Sequence, residues 1–263
     1  MKKGFLIDMD GVLYKGDHMI EGADEFIRYL NDGDIPYLFL TNNSRPTQRD
    51  IALKLEQRLG VEVHEEHIFT SAMATAYFLS QQKVNGSAFV LGEGGLIKSI
   101  YDIGYAINER NPDYVVVGES RTLTLEVIEK AIDMIIGGAK LIATNMDPAP
   151  KEVGWPKPGT GAVVAMLEEA SGKKAFCVGK PSPILMRAAR KKLGLTTSQT
   201  VMIGDTMETD ILGGVSMGFE TILMLSGVTH RDALNEYAFA PSRVVDSVAD
   251  LVGDLEVDAY AGA

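Results

Sequence analysis

Two acidic clusters, each placed directly after a short apolar run, hold the side chains best suited to chemistry. Asp8 and Asp10 lie in FLIDMDGVLY, and Asp205 lies in VMIGDTMETD. An extended chain alternates its side chains with period two, so Asp8 and Asp10 point the same way and can converge on one cation. Hard oxygen donors with no His or Cys beside them suit Mg²⁺. A lone DMDG reads equally well as a polar turn ending a strand, since Asp and Gly are common turn residues. The second acidic strand end weighs against that reading, because open α/β sheets place their chemistry at the carboxyl ends of strands.

Two further motifs supply groups that hold an anion. Thr41-Asn42-Asn43-Ser44 follows the apolar run ending at Leu40 and offers hydroxyl and amide donors; it also has the composition of a helix-capping turn. Lys180 follows another apolar run in Gly179-Lys180-Pro181-Ser182-Pro183, where the prolines restrict the exit of the chain. Taken alone, such a lysine is an ordinary solvated charge.

The elements that must position these groups alternate short β-rich runs with amphipathic stretches, the pattern of an α/β fold with mostly parallel sheets. Strands are expected at Gly4 to Ile7, Tyr37 to Leu40, Ala88 to Leu91, Tyr114 to Val117, Leu141 to Ala143, Phe176 to Val178, Val201 to Ile203 and Thr221 to Leu225. Helices are expected over Ala23 to Leu30, Asp50 to Leu59, Leu123 to Ile136 and Pro183 to Leu193. Asp10 and Asp205 are neighbours in space if they share a metal, yet the interval between them far exceeds the roughly dozen residues of a single crossover. The middle of the chain is therefore expected to form an inserted domain, residues 84–178, within a core of residues 1–83 and 179–263. Polar residues and Gly at Gln82 to Ser87, and the Gly179-Lys180 turn, mark its edges.

Bulk composition narrows the function classes. The chain has 263 residues, 46% hydrophobic and 23% charged, as in folded globular proteins rather than disordered ones. A formal net charge of -11 disfavours nucleic acid polymers and anionic membranes as partners, so an anionic substrate needs a locally positive site. The single cysteine, Cys177, allows no intrachain disulfide and sits in an apolar run that suits packing. Lys2 and Lys3 precede only four residues before Asp8, too few for a signal-peptide core. No run approaches the roughly 18 apolar residues of a membrane span. A cytoplasmic location is expected.

In order along the chain, DxDGV, hhhTNNS (h, apolar), GKP and GDxxxTD resemble the four motifs of the haloacid dehalogenase (HAD) superfamily. Within it, the chain is similar to the NagD-like phosphatases, which carry a large α/β cap of the C2 type between the second and third motifs. Thr70 to Thr75 (TSAMAT), Val117 to Glu119 (VGE) and Ala143 to Asp147 (ATNMD) extend the resemblance over nearly the whole chain. It implies a doubly wound, parallel-sheet Rossmann-like core with the inserted α/β cap, and a Mg²⁺-dependent phosphatase.

The resemblance also implies a role for each matching residue. Asp8 would be the nucleophile that forms an aspartyl-phosphate, and Asp10 the general acid and then base. Mg²⁺ would be bound by Asp8, the main-chain carbonyl of Asp10, and Asp205. Thr41 and Asn42 would hold phosphate oxygens, and Lys180 would offset charge on Asp8 and the transferred group. Asp210 would act behind the metal ligands, although an Asp in a first helical turn needs no such role. In the cap, Asn145 and Asp147 are expected to bond a sugar or base and Trp155 to stack on a ring or to pack. Glu93 suits a cap turn, and His18, His64, His67 and His230 have no metal-ligand spacing.

The expected substrate is a small phosphorylated metabolite, first a nucleoside 5'-monophosphate such as UMP. Phosphoglycolate, a sugar phosphate or pyridoxal phosphate are the alternatives, with p-nitrophenyl phosphate as surrogate. Outside hydrolysis, a phospho-receiver or a metabolite-binding relative remains open, but receivers lack an acid/base Asp two residues after the acceptor. The resemblance also allows a homo-oligomer formed through the cap.

Overall fold

A computed structural model describes residues 3–149 and 157–252. Along the chain its strands are β1 Gly4–Asp8, β2 Tyr14–Lys15, β3 His18–Met19, β4 Tyr37–Thr41, β5 Ile68–Thr70, β6 Ser87–Leu91 and β7 Ala106–Ile107, followed by β8 Tyr114–Val117, β9 Lys140–Ala143, β10 Phe176–Cys177, β11 Thr200–Gly204, β12 Glu220–Met224 and β13 Arg243–Val245. The helices are α1 Ala23–Asp32, α2 Gln48–Leu59, α3 Ser71–Gln82, α4 Gly94–Asp102, α5 Leu125–Ile136, α6 Thr160–Ser171, α7 Pro183–Lys192 and α8 Leu212–Met217. Among the described residues no helix is long and apolar enough to cross a membrane.

The chain forms two compact units. The first takes the chain up to Leu40, Ile51–Phe69, and the chain from Met186 onward; the second takes Thr41–Asp50 and Thr70–Leu185. The first is built on a six-stranded sheet of order β13-β12-β11-β1-β4-β5, in which β1 pairs in parallel with β11 and with β4. Moving outward from β1, the chain runs one way through β4 and β5 and the other way through β11, β12 and β13. The order reverses between β1 and β11, the topological switch point at which doubly wound sheets bind ligands. Asp8 closes β1, Asp205 directly follows β11, and Ile7 pairs with Ile203, so the register brings both carboxylates to that point.

Burial explains why β1 and β11 read as unbroken apolar runs rather than alternating ones, as strands covered on both faces do. Leu6, Ile7, Met202 and Ile203 are fully buried. Helix α1 buries Ala23, Phe26, Ile27 and Leu30, the spacing of a single helical face. Each large side chain so buried contributes roughly 1.5–3 kcal/mol.

The second unit carries a five-stranded sheet of order β10-β9-β8-β6-β7, with parallel pairing throughout. Its core packs Phe89, Leu91, Val115, Val117, Ile128 and Leu141 with their neighbours. Thr124 explains why α5 starts at Leu125, two residues after the expected Leu123: its hydroxyl accepts a hydrogen bond from the Val127 amide at 3.4 Å and caps the helix. Thr70 does the same for α3 through the Met73 amide at 3.2 Å.

Candidate active site

In the first unit, three carboxylates converge. One oxygen from each of Asp8, Asp205 and Asp210 lies within 4.8 Å of the others. Asp205 and Asp210 are buried and Asp8 is half-buried. Like charges this close, out of water, repel one another unless a cation or protons neutralise them. An all-oxygen donor set fits a hard divalent cation.

The route by which Asp210 arrives was not legible in the sequence. After β11 the chain makes a π-helical turn over Met207–Ile211, in which Ile211 N–H donates to the Thr206 carbonyl at 3.3 Å and Asp210 N–H donates to it at 3.0 Å. The wider turn differs from the ordinary first α-turn allowed by the sequence, and such π turns occur frequently at functional sites. Asp210 Oδ2 accepts the Thr206 amide at 3.2 Å, and at Gly204 a Cβ would come within 2.3 Å of the Asp210 side chain. A glycine before Asp205 therefore makes room for Asp210.

Asp205 is held by a loop that sequence reasoning passed over. Its Oδ2 accepts the Val228 amide at 2.7 Å, its Oδ1 accepts the Thr206 hydroxyl at 3.0 Å, and its carbonyl accepts the Thr229 amide at 3.1 Å. The available signal was SGVT directly after the apolar run of β12. Gly11 and Gly227 enclose this carboxylate: a Cβ on either would approach Asp205 Oδ2 to 2.3 or 2.0 Å. Gly11 also has φ +81, a conformation that costs a side-chain-bearing residue about 1–2 kcal/mol. Gly11→Ala is expected to lower the melting temperature and to cut phosphatase activity about a hundredfold by displacing Asp205. Wild-type turnover in the folded variant, measured by phosphate release, would show that the Asp205 position is not critical.

Asp10 lies outside the three-carboxylate group and keeps a solvent-exposed face. Even so, partial desolvation of its carboxyl, and then the charge of Asp8, raise its pKa above the usual carboxylate value. Lys54, the Gly11 amide and Arg58 pull in the opposite direction. A carboxyl held toward its protonated form suits a proton donor. Lys54 and Arg58 both approach the Tyr14 ring, at 5.3 and 5.1 Å from its centroid.

The second unit holds Thr41, Asn42 and Lys180. Lys180 is 4% exposed, so it is not the solvated surface lysine that its motif alone allows. Asn42 grips its main chain twice: Asn42 Oδ1 accepts the Lys180 amide at 2.8 Å, and Asn42 Nδ2 donates to the Lys180 carbonyl at 3.1 Å. The Asn42 side chain is thereby committed to the scaffold. Thr41 Oγ1 accepts the Asn43 amide at 3.0 Å, which shapes the turn after β4. Ser44 Oγ accepts from the Glu119 amide at 3.0 Å and the Thr144 hydroxyl at 3.3 Å, joining three of the sequence motifs.

The cap residues divide. Asn145 is fully buried, and both ends of its amide are occupied: Nδ2 donates to the Asn42 carbonyl at 2.8 Å and Oδ1 accepts the Asp147 amide at 3.1 Å. The side chain expected to meet a sugar or base is thus enclosed. Asp147 is half-buried and accepts Asn42 Nδ2 at 3.3 Å through Oδ2. Trp155 lies outside the described residues. Glu93 stands at the start of α4, accepting the Arg121 amide at 2.7 Å and pairing with Arg45 at 3.7 Å. Burial pushes the Cys177 thiol up to about 11, which leaves it inert at neutral pH. His67 stacks on Tyr37 and bonds its carbonyl at 3.1 Å, a structural position.

Known proteins resemble this chain along most of its length. Residues 5–106 match the family described as Haloacid dehalogenase-like hydrolase, and residues 177–251 match a second, HAD-hydrolase-like family. The chain is 42% identical over 250 residues to the dihydroxyacetone phosphatase of Corynebacterium glutamicum (strain R), covering 94% of this chain and 90% of that one. It is 41% identical over 249 residues to the ribonucleotide monophosphatase NagD of Escherichia coli (strain K12), covering 95% and 98%. The solved NagD structure superposes with a TM-score of 0.89, covering 94% of this chain and 97% of that one. A p-nitrophenyl phosphatase from Archaeoglobus fulgidus superposes with a TM-score of 0.90 at 34% identity, covering 96% and 99%.

Proposed function

Because the chain belongs to the NagD-like subfamily of the haloacid dehalogenase superfamily and is a phosphoric monoester hydrolase, we propose that it hydrolyses a nucleoside 5'-monophosphate such as UMP through Asp8. The observation that carries the catalytic assignment is the convergence of Asp8, Asp205 and Asp210 at the switch point of the first sheet.

In this reading an Asp8 carboxylate oxygen attacks phosphorus in line, the ester P–O bond breaks, and Asp10 gives its proton to the leaving alcohol oxygen. Asp10 then takes a proton from water, whose oxygen attacks the same phosphorus. The Asp8–phosphorus bond breaks, inorganic phosphate leaves and the Asp8 carboxylate is restored. The raised pKa of Asp10 supports the donor half of this cycle. Asp8, Asp205 and the Asp10 carbonyl would hold Mg²⁺, with Asp210 beside them, and the ion supplies charge neutralisation for an anionic nucleophile meeting an anionic phosphate. Lys180 adds positive charge, and Thr41 and Asn42 contribute hydrogen bonds to phosphate oxygens. For Asn42 these come from the main-chain N–H, since its amide side chain is committed to Lys180.

Residues 84–178 serve in this reading as the inserted cap that selects the ester, and all five strands of the second sheet fall within them. The nucleotide preference rests on the likeness to NagD, named a ribonucleotide monophosphatase; the dihydroxyacetone phosphatase likeness favours a small phosphorylated ketone as second reading. The single cysteine, which allows no intrachain disulfide, supports a reducing, cytoplasmic setting. A phosphate-release screen over UMP, other nucleotides, dihydroxyacetone phosphate, sugar phosphates, phosphoglycolate and pyridoxal phosphate is expected to give the highest kcat/KM for a nucleoside monophosphate. A tenfold or greater preference for a non-nucleotide ester would overturn the substrate assignment and leave the chemistry standing.

A further inference from the structure

We propose that Asn145 and Asp147 are positioning residues that act through Asn42 on Lys180, rather than residues that read the organic part of the substrate. The proposal rests on the role given above to Lys180. Five hydrogen bonds form one relay within the second unit. Asn145 Nδ2 holds the Asn42 carbonyl at 2.8 Å, and Asn145 Oδ1 holds the Asp147 amide at 3.1 Å. The Asp147 carboxylate then takes Asn42 Nδ2 at 3.3 Å. The same Nδ2 donates its other hydrogen to the Lys180 carbonyl at 3.1 Å, while Asn42 Oδ1 takes the Lys180 amide at 2.8 Å.

The two donors of the Asn42 amide are thereby divided between Asp147 and Lys180, which fixes the amide's orientation. An amide rotated the other way would turn its NH₂ toward the Lys180 N–H and leave two donors facing each other. The acceptor at Asp147 reinforces this preference, since the rotated amide would also set its oxygen against the Asp147 carboxylate. The platform beneath is rigid, since Gly161 N–H donates to the Asp147 carbonyl at 2.9 Å and a Cβ at Gly161 would lie 2.2 Å from the Met146 carbonyl. Asn145 is fully buried, and each end of its side-chain amide already carries a hydrogen bond within the scaffold. Buried networks with every member satisfied hold a single geometry, and catalytic groups misplaced by about 1 Å lose on the order of a hundredfold in rate.

The test compares Asn145→Ala, Asp147→Ala and Asp147→Asn with Lys180→Ala on two esters, UMP and p-nitrophenyl phosphate. Positioning predicts that both alanine variants lose about ten- to a hundredfold in kcat on each ester. The ratio of the two kcat/KM values stays at the wild-type figure. Asp147→Asn keeps an acceptor oxygen for Asn42 and is expected to recover to within a few-fold of wild type, a rescue that generic loosening of the fold would not produce. If an alanine variant fails to fold, Asn145→Asp replaces it: it keeps the acceptor for the Asp147 amide, withdraws the donor to Asn42, and is expected to show the same equal loss. A loss confined to UMP would overturn the proposal in favour of nucleoside contact. Wild-type kcat in the alanine variants beside an inactive Lys180→Ala would also overturn it, whereas an active Lys180→Ala would instead remove the role assigned to Lys180.

Discussion

Asp8→Asn is expected to lose more than a thousandfold in phosphatase turnover while remaining folded. Two effects act together. An amide oxygen is a far weaker nucleophile toward phosphorus than a carboxylate, and its attack would give an O-phosphoryl imidate rather than an acyl phosphate. A thousandfold corresponds to about 4 kcal/mol of transition-state stabilisation, in the range expected when a covalent nucleophile is removed. The same substitution removes one of three carboxylates whose oxygens lie within 4.8 Å of each other. In metal-free protein that relieves like-charge repulsion, so the melting temperature is expected to equal or exceed the wild-type value. Stability and activity should therefore move in opposite directions. Retention of more than a few per cent of wild-type turnover, with purity controlled, would sink Asp8 as the nucleophile.

The second large effect is expected at Asp205. Mg²⁺ bound only by the native state stabilises it by about 2.7 kcal/mol at a hundred times its dissociation constant. Thermal melts of wild-type protein should thus rise on adding Mg²⁺ and fall back with EDTA. Asp205→Asn is expected to abolish most of that rise and to lower turnover by on the order of a hundred- to a thousandfold. The amide still offers an oxygen to the Val228 N–H that now holds Oδ2 at 2.7 Å, so the loop after β12 keeps its anchor and the loss reports on charge. Full activity of EDTA-treated wild-type protein would remove metal from the mechanism. A Mg²⁺-dependent rise in Asp205→Asn equal to the wild-type one would place the ion elsewhere.

How much of this was legible in the sequence depended on the length and burial of each element. Strands β1, β4, β8 and β11 read correctly to within a residue at either end because double-sided burial makes them continuous apolar runs. Strands β5 and β13 have three residues each, too few for any period to register. Helix α6, TGAVVAMLEEAS, begins with Thr, Gly and a pair of valines that favour extended chain, and packing against the second sheet's core overrides them. Helix α4 opens on two glycines and was equally hidden.

The site was read unevenly, and the unevenness has a physical cause. Side-chain type and strand-end position are local properties: they placed Asp8, Asp10, Asp205 and Lys180 at the ends of apolar runs, and the resemblance of those motifs to a known family supplied the phosphoryl chemistry. Hydrogen-bond partnership is not local. Asn42 and Lys180 stand 138 residues apart, so no pattern along the chain reports that the Asn42 amide is committed to the Lys180 backbone or that Asn145 is enclosed beside it. The turn that carries Asp210 is defined by the wide spacing of its bonds to the Thr206 carbonyl, a geometry set by packing over Gly204 rather than by residue propensity. The sequence by itself determined which chemical groups the protein owns and at which strand ends they stand. Only the tertiary structure decided which of those groups converge and which serve the scaffold, because a polar atom's partner is chosen by proximity that long-range folding alone creates.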